Sequence, residues 1–415
     1  RAIFVILPIR PMTEHPPQLR DLPPEEKKRL AYIEGREDLF ETKVFEMESS
    51  SDIEEQGQEK KNVLVISRDP GSANALWPVM ELLYHDDTIA MKAIVDGRAE
   101  EILQDKFTMK DITPKDGALE AEQVLGTPDA LLIDSSTSER GIEMYAAANY
   151  PDAPMVLVED YYTASHGFLQ RLKERKLPHP KKICVIDSEA KKLIVKEFPE
   201  LEDRIEITGQ PAFDRFATED TEGIKTEVRK ELGLAPDEKL VAFMGAQGEL
   251  ALLEKLAGEL KKVKTKFRFA FGVHPRYNTE VLQQRYKEIF RNAGIEYIDT
   301  ERAGVNNIGA VSDVVVIVVS AEGLHAICRR KPTIHIIDPK FVKAQRDLNP
   351  PPPVKLGASM GLDDMNGFAT TIDHLLDPES VENIELRKHM EENYPVDGKN
   401  SERVVNILKA EIAEN

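Results

Sequence analysis

Short apolar runs alternate with helical stretches along most of this chain. The run VLVIS at 63–67 is broken by Pro70 and Gly71 and followed by a helical pattern over 74–84. Further strands are expected at 90–95, 130–133, 155–158, 183–186 and 204–208, with helical segments between them at 138–148 and 188–197. Asp187 stands where a side chain caps the second of these helices. A run as apolar as 63–67 suits a strand covered on both faces, as in a parallel sheet. The scheme then repeats. Strands are expected at 239–245, 267–271, 296–298, 314–319 and 332–337, with helices through 262, over 279–293 and over 401–413. The run VVVIVV at 314–319 is β-branched enough to demand a central, doubly covered strand. Four prolines at 350–353 predict a stiff extended loop. Two series of strand–helix alternation define an α/β chain with two doubly wound parallel-sheet domains.

Residues 1–61 break this rhythm. A short apolar run at 2–7 gives way to a proline- and charge-rich stretch and then to SSSDIEEQGQEKK, from Ser49 onward. The composition predicts a weakly structured acidic extension. The apolar run is too short for the core of a signal peptide, although the chain does not begin with methionine.

Composition narrows the function classes. The 55 basic and 74 acidic residues give a formal charge of −19, which argues against broad binding to nucleic acid or to an anionic membrane. No run reaches the length of a membrane span. Cys184 and Cys328 each lie in or beside an apolar element and read as buried thiols of a reducing, cytoplasmic compartment. No spacing of histidines or carboxylates reads as a metal site, and no Asp-x-Asp run follows a strand.

Between the two series stands ITGQPAFDRF at 207–216. Gly209 permits a sharp turn, Pro211 fixes the exit direction and Asp214 follows where order resumes. This segment resembles the TGxPxxD interdomain signature of GT-B-fold sugar enzymes, among them UDP-N-acetylglucosamine 2-epimerases, lipid-A-disaccharide synthases and CDP-glycerol glycerophosphotransferases. By layout the likeness runs over 62–415. It implies two Rossmann-like domains facing across a cleft and hinged near 209–214. The acceptor domain would span 62–213 and the nucleotide-donor domain 223–399, with a terminal helix at 400–415 crossing back to the first.

Candidate chemistry clusters behind the strand ends, where open α/β sheets bind ligands. In SRDPGSANALWP, 67–78, Asp69 sits ahead of Gly71 and Ser72, whose N–H groups could meet an anion at a helix start. In VLVEDYYTASHG, 156–167, the adjacent carboxylates Glu159 and Asp160 are the leading candidates for a general base, ahead of Asp69 and His166. A solvated acidic loop is the competing reading. The epimerases resemble this run but carry Ala and Gly where Asp160 and Tyr161 stand, so glycosyl transfer is favoured over epimerisation.

In the second half, FGVHPRYN places His274 and Arg276 beyond a strand end, and the planar fork of Arg276 suits a diphosphate. GT-B sugar enzymes carry a similar His-Pro there. VVSAEGLHA brings Ser320, Glu322 and Gly323 to a helix start, with Ser320 a capping residue and Glu322 suited to a ribose diol. In MGAQGE, Gly245, Gln247 and Gly248 would let the backbone approach the same ligand. The resemblance implies a metal-independent glycosyltransferase with a nucleotide sugar, or a glycerol-like analogue, as substrate and no separate cofactor. The acceptor would be a small molecule or a glycan, and a homodimer is compatible. The alternatives are a 2-epimerase-like enzyme and a non-catalytic nucleotide-sugar-binding protein.

Overall fold

The computed structural model describes residues 43–47, 60–95, 99–111, 126–134, 142–246, 250–273, 279–300, 303–318, 320–342 and 348–415. The chain divides into two compact units. Unit 1 holds the first part of the chain to Ile186, the short stretch Glu200–Glu206 and the C-terminal stretch Ser401–Asn415. Unit 2 holds Asp187–Pro199 and Ile207–Asn400.

The strands of unit 1 are β1 (Lys43–Met47), β2 (Lys61–Ser67), β3 (Ile89–Val95), β4 (Met109–Asp111), β5 (Ala130–Asp134), β6 (Met155–Val158), β7 (Lys182–Val185) and β8 (Ile205–Ile207), the last reaching the unit boundary. They form one sheet in the order β4-β1-β3-β2-β5-β6-β7-β8. From β3 to β7 the neighbours are parallel, whereas β1 runs antiparallel to both β3 and β4. Its helices are α1 (Pro70–Tyr84), α2 (Ala99–Gln104), α3 (Ile142–Asn149) and α4 (His166–Arg175).

Unit 2 begins with α5 (Ser188–Glu197) and continues through α6 (Thr221–Glu231), β9 (Lys239–Ala246), α7 (Leu250–Leu260), β10 (Phe267–Val273), α8 (Glu280–Ala293), β11 (Ile298–Asp299), α9 (Val305–Val311), β12 (Val314–Ile317), α10 (Glu322–Cys328) and β13 (Thr333–Ile336). Then come α11 (Pro352–Lys355), β14 (Met360–Leu362), α12 (Phe368–Leu376) and α13 (Val381–Asn393). The final helix, α14 (Asn400–Glu414), belongs to unit 1 from Ser401 onward. The second sheet has the order β11-β10-β9-β12-β13-β14 and is parallel throughout. Counted within the unit, that is 3-2-1-4-5-6, the Rossmann order. The run at 314–317 is fully buried between β9 and β13, as its β-branched composition predicts.

Three expectations are corrected. The weakly structured extension was drawn over 1–61, yet Lys43–Met47 is a strand whose Phe45 and Met47 enter the first core. The segment α5 lies inside the 62–213 span read as the first domain but groups with unit 2, where the Tyr394 hydroxyl donates to Asp187 Oδ2 at 2.9 Å. The prolines at 352 and 353 open a short helix, because a proline at the first helical positions lacks only an N–H that would have had no partner. Asp187 does cap α5, accepting from the Ala190 N–H at 2.9 Å. In unit 1, Val404, Val405, Leu408 and Ile412 of α14 join the hydrophobic core. Both cysteines are buried. Among the described residues no helix is long and apolar enough to cross a membrane.

The signature segment is a clasp within unit 2. Gly209 has φ +79°, and a Cβ there would fall 2.2 Å from Asn400 Oδ1. The Asn400 side chain donates to the Gln210 carbonyl at 3.1 Å, and its backbone N–H donates to Asp214 Oδ1 at 2.9 Å. Asp214 thereby satisfies the first N–H of α14.

Candidate functional site

A doubly wound sheet changes direction where consecutive strands lie on opposite sides of the first, and the crevice beyond those carboxyl ends is where such sheets bind ligands. In unit 1 this point lies between β2 and β5, since β3 sits on one side of β2 and β5 on the other. Ser67 ends β2 and Asp134 ends β5. The Ser67 hydroxyl donates to Asp134 Oδ2 at 2.7 Å, and the Arg68 N–H approaches the same oxygen at 3.4 Å. Asp134 is fully buried. Burial raises its pKa well above the usual carboxylate range, the charges of Glu143 and Asp160 push the same way, and the bonds from Ser67 and Arg68 only partly offset them.

Glu143 lies in the first turn of α3, which packs on β2, β5 and α4. It is 1% exposed, and among the described residues no other group hydrogen-bonds either of its carboxylate oxygens. Burial lifts its pKa to about 7. Its own backbone N–H and the Arg68 and Arg171 guanidiniums pull down, and Asp69 pushes up. A carboxyl group poised there can take and return a proton at neutral pH.

The sequence candidates at the end of β6 have different duties. Glu159 is buried, and its Oε1 accepts from the Ser165 hydroxyl at 2.6 Å and the Ser165 N–H at 3.3 Å. It therefore ties the loop back to the start of α4. The loop carries a strained residue, the β-branched Thr163 at φ 63°. Asp160 is half-buried and lies against α1: a Cβ on Gly71 would come within 2.7 Å of its Oδ2. The positive end of the helix dipole expected to meet a ligand anion thus meets the chain's own carboxylate. Asp69 precedes α1 without a side-chain cap bond, and His166 opens α4 with its N–H on the Thr163 carbonyl at 3.2 Å.

In unit 2 the direction changes between β9 and β12. Gly245, at φ +80°, is the next-to-last residue of β9. Beyond β12, Ser320 uses its hydroxyl to accept from the Glu322 N–H at 3.3 Å and its carbonyl to accept from the Gly323 N–H at 3.1 Å. Glu322 turns toward its own helix, with Oε1 3.3 Å from His325 Nδ1. Burial pushes the Glu322 carboxyl up, but His325, Arg329 and Arg215 together hold it below its usual range. Arg329 binds Glu219 through Nε at 2.7 Å and a terminal nitrogen at 2.6 Å, and both Arg215 and Arg329 sit 4.7 Å from the centre of the Phe216 ring. Gly323 is buried, and a Cβ there would strike Ile317 Cδ1 at 2.2 Å, so its smallness serves helix–strand contact.

No family model and no curated protein matches the sequence. Solved structures do match. A UDP-GlcNAc 2-epimerase from Neisseria meningitidis bound to UDP-GlcNAc superposes with a TM-score of 0.62 at 14% identity, covering 84% of this chain and 100% of that one. A glycosyltransferase from Rickettsia africae gives 0.55 at 14% identity over 86% and 100%. A variant of the wall teichoic acid polymerase TagF gives 0.52 at 14% identity over 86% and 89%. The chain has a GT-B fold. Identities this low carry the fold and not the reaction.

Of the residues singled out in sequence for the second GT-B domain, Gln247, Gly248, His274 and Arg276 lie outside the described residues. Gly245 lies at the end of β9, and Ser320, Glu322 and Gly323 follow β12. In the first domain, Asp69, Glu159, Asp160 and His166 fall behind β2 and β6. Asp134 and Glu143 were not among the residues singled out in sequence. The available signal was an acid inside the apolar run IEMYAAA at 142–148: positions 143, 146 and 147 share a helix face, and both alanines are fully buried.

Proposed function

We propose that this protein is an enzyme of nucleotide-activated sugars that transfers a glycosyl or glycerol-like group to a small-molecule or glycan acceptor without a metal. The observation that carries the reading is the buried carboxyl pair Asp134 and Glu143 at the direction change of the first sheet. Buried acids with raised pKa values cost stability and serve no purpose in mere binding, whereas deprotonating an acceptor hydroxyl requires such a group. The second sheet, in Rossmann order, supplies the usual frame for a nucleotide. A 2-epimerase-like activity is the second reading, because the solved structures that share this fold include a UDP-GlcNAc 2-epimerase as well as a glycosyltransferase.

The test is a thermal-shift panel of nucleotides, nucleotide sugars and CDP-glycerol, followed by chromatography of every stabilising compound after incubation with and without acceptors. Transfer releases nucleotide together with a glycosylated product, and epimerisation leaves an isomer of the donor. Stabilisation with no conversion would reduce the protein to a binding module. If no nucleotide raises Tm, the reading is wrong.

A further inference from the structure

We infer that Glu143 is the proton-exchanging residue of unit 1 and acts on a hydroxyl of a sugar or polyol acceptor. The inference rests on the function proposed above and names the group that performs its proton step.

Location is the first argument. The direction change between β2 and β5 is where this fold class gathers ligands, and the Ser67–Asp134 bond joins the ends of those two strands. Glu143 follows at the start of α3. Arg68 and Asp69 from the loop after β2, Asp134 from the end of β5 and Arg171 from α4 all act on it electrostatically or are acted on by it.

The second argument is hydrogen bonding. A buried carboxyl group costs folding energy unless its oxygens are matched, and native proteins keep such groups mainly where function requires them. Both Glu143 oxygens lack a partner residue among the described residues, and so does Asp134 Oδ1. The other acids of this edge are committed: Glu159 holds Ser165, and Asp160 lies on the first turn of α1. Two guanidiniums near Glu143 keep its charged form accessible, and burial keeps its neutral form accessible. Both states are needed by a group that must gain and lose a proton in each cycle.

The chemistry balances. As the acceptor oxygen bonds to the activated carbon of the donor, its proton passes to a Glu143 carboxylate oxygen. The bond from that carbon to the diphosphate breaks, and its electron pair leaves on the phosphate oxygen. Glu143 then returns the proton to solvent.

The experiment uses the full chain labelled with ¹³C at glutamate side-chain carboxyls, the Glu143 signal being assigned by its loss in Glu143→Gln. A titration midpoint near pH 7 is expected. With the donor found in the nucleotide panel, Glu143→Gln should lose roughly 10²- to 10⁴-fold in kcat. Donor Kd should be unchanged, the acid limb of the wild-type pH profile should vanish in the variant, and Glu143→Asp should recover part of the rate. Circular dichroism checks that the variant folds. If it does not, the wild-type limb must coincide with the carboxyl titration or the inference falls. A midpoint below about pH 5, or full turnover in Glu143→Gln, overturns it. A midpoint near pH 7 with no donor consumed by the wild type shows instead that the sugar reading failed, and the acceptor hydroxyl assigned here goes with it.

Discussion

Replacing Gly209 by alanine tests the clasp formed by the interdomain signature. The perturbation acts twice. At φ +79° an L-residue crowds its own carbonyl, a cost of about 1–2 kcal/mol. The new methyl would also lie 2.2 Å from Asn400 Oδ1 and 2.7 Å from Asn400 Cγ. Asn400 is 2% exposed, so it cannot swing into water. Moving aside, it gives up its bond to the Gln210 carbonyl and strains the Asp214 cap, leaving buried polar groups unmatched at roughly 1–3 kcal/mol. The expected destabilisation is about 2–5 kcal/mol in all.

Urea unfolding followed by far-UV circular dichroism measures it, with the fluorescence of Trp77, the single tryptophan, reporting unit 1 separately. The two causes separate in Gly209→Ala combined with Asn400→Ala. Removing the obstructing amide leaves only the φ cost, so the double variant should lose less than the two single losses together. A loss under about 0.5 kcal/mol in Gly209→Ala, or strict additivity in the pair, would refute the clasp.

Two further predictions concern stability. Glu143 has its folded pKa raised to about 7 from an ordinary 4.5, so its contribution is fully present below pH 4.5 and is lost as pH rises through 7. Glu143→Gln should therefore match wild type near pH 4.5 and exceed it at pH 8 by about 3 kcal/mol, to order of magnitude; a stability difference that does not change with pH would show that the carboxyl is not held neutral. Asp187→Ala removes the cap on α5 and strands the buried Tyr394 hydroxyl, for a loss of about 2–4 kcal/mol, whereas Tyr394→Phe should cost about 1 kcal/mol. If the two variants lose equally in denaturant melts, the cap contributes nothing.

The legible parts of this chain are those whose cause is local. A central parallel strand must be apolar on both faces, so the run at 314–317 declares itself, and a left-handed turn followed by a cap declares itself through Gly209 and Asp214. Strand β1 escapes because KVFEM, set in an acidic tail, owes its order to β3, with which Phe45 pairs opposite Ala93. Glu159 reads in sequence as a general-base candidate or a solvated acid, and its bond to Ser165, six residues on, shows only once the loop folds back. The raised pKa of Glu143 lies deepest, because what tunes a carboxyl group is the water it is denied. That depends on groups such as Arg68, Asp134 and Arg171, brought to Glu143 from three separate elements. Ser67 and Asp134 are 67 residues apart in the chain, and no periodicity joins them; the strand order does, by setting β2 beside β5. Reading such a site from sequence therefore requires the order of the strands first. Only then does an acid on a buried helix face, at the point where the sheet changes direction, become a stronger candidate than the acids that stand openly at a strand end.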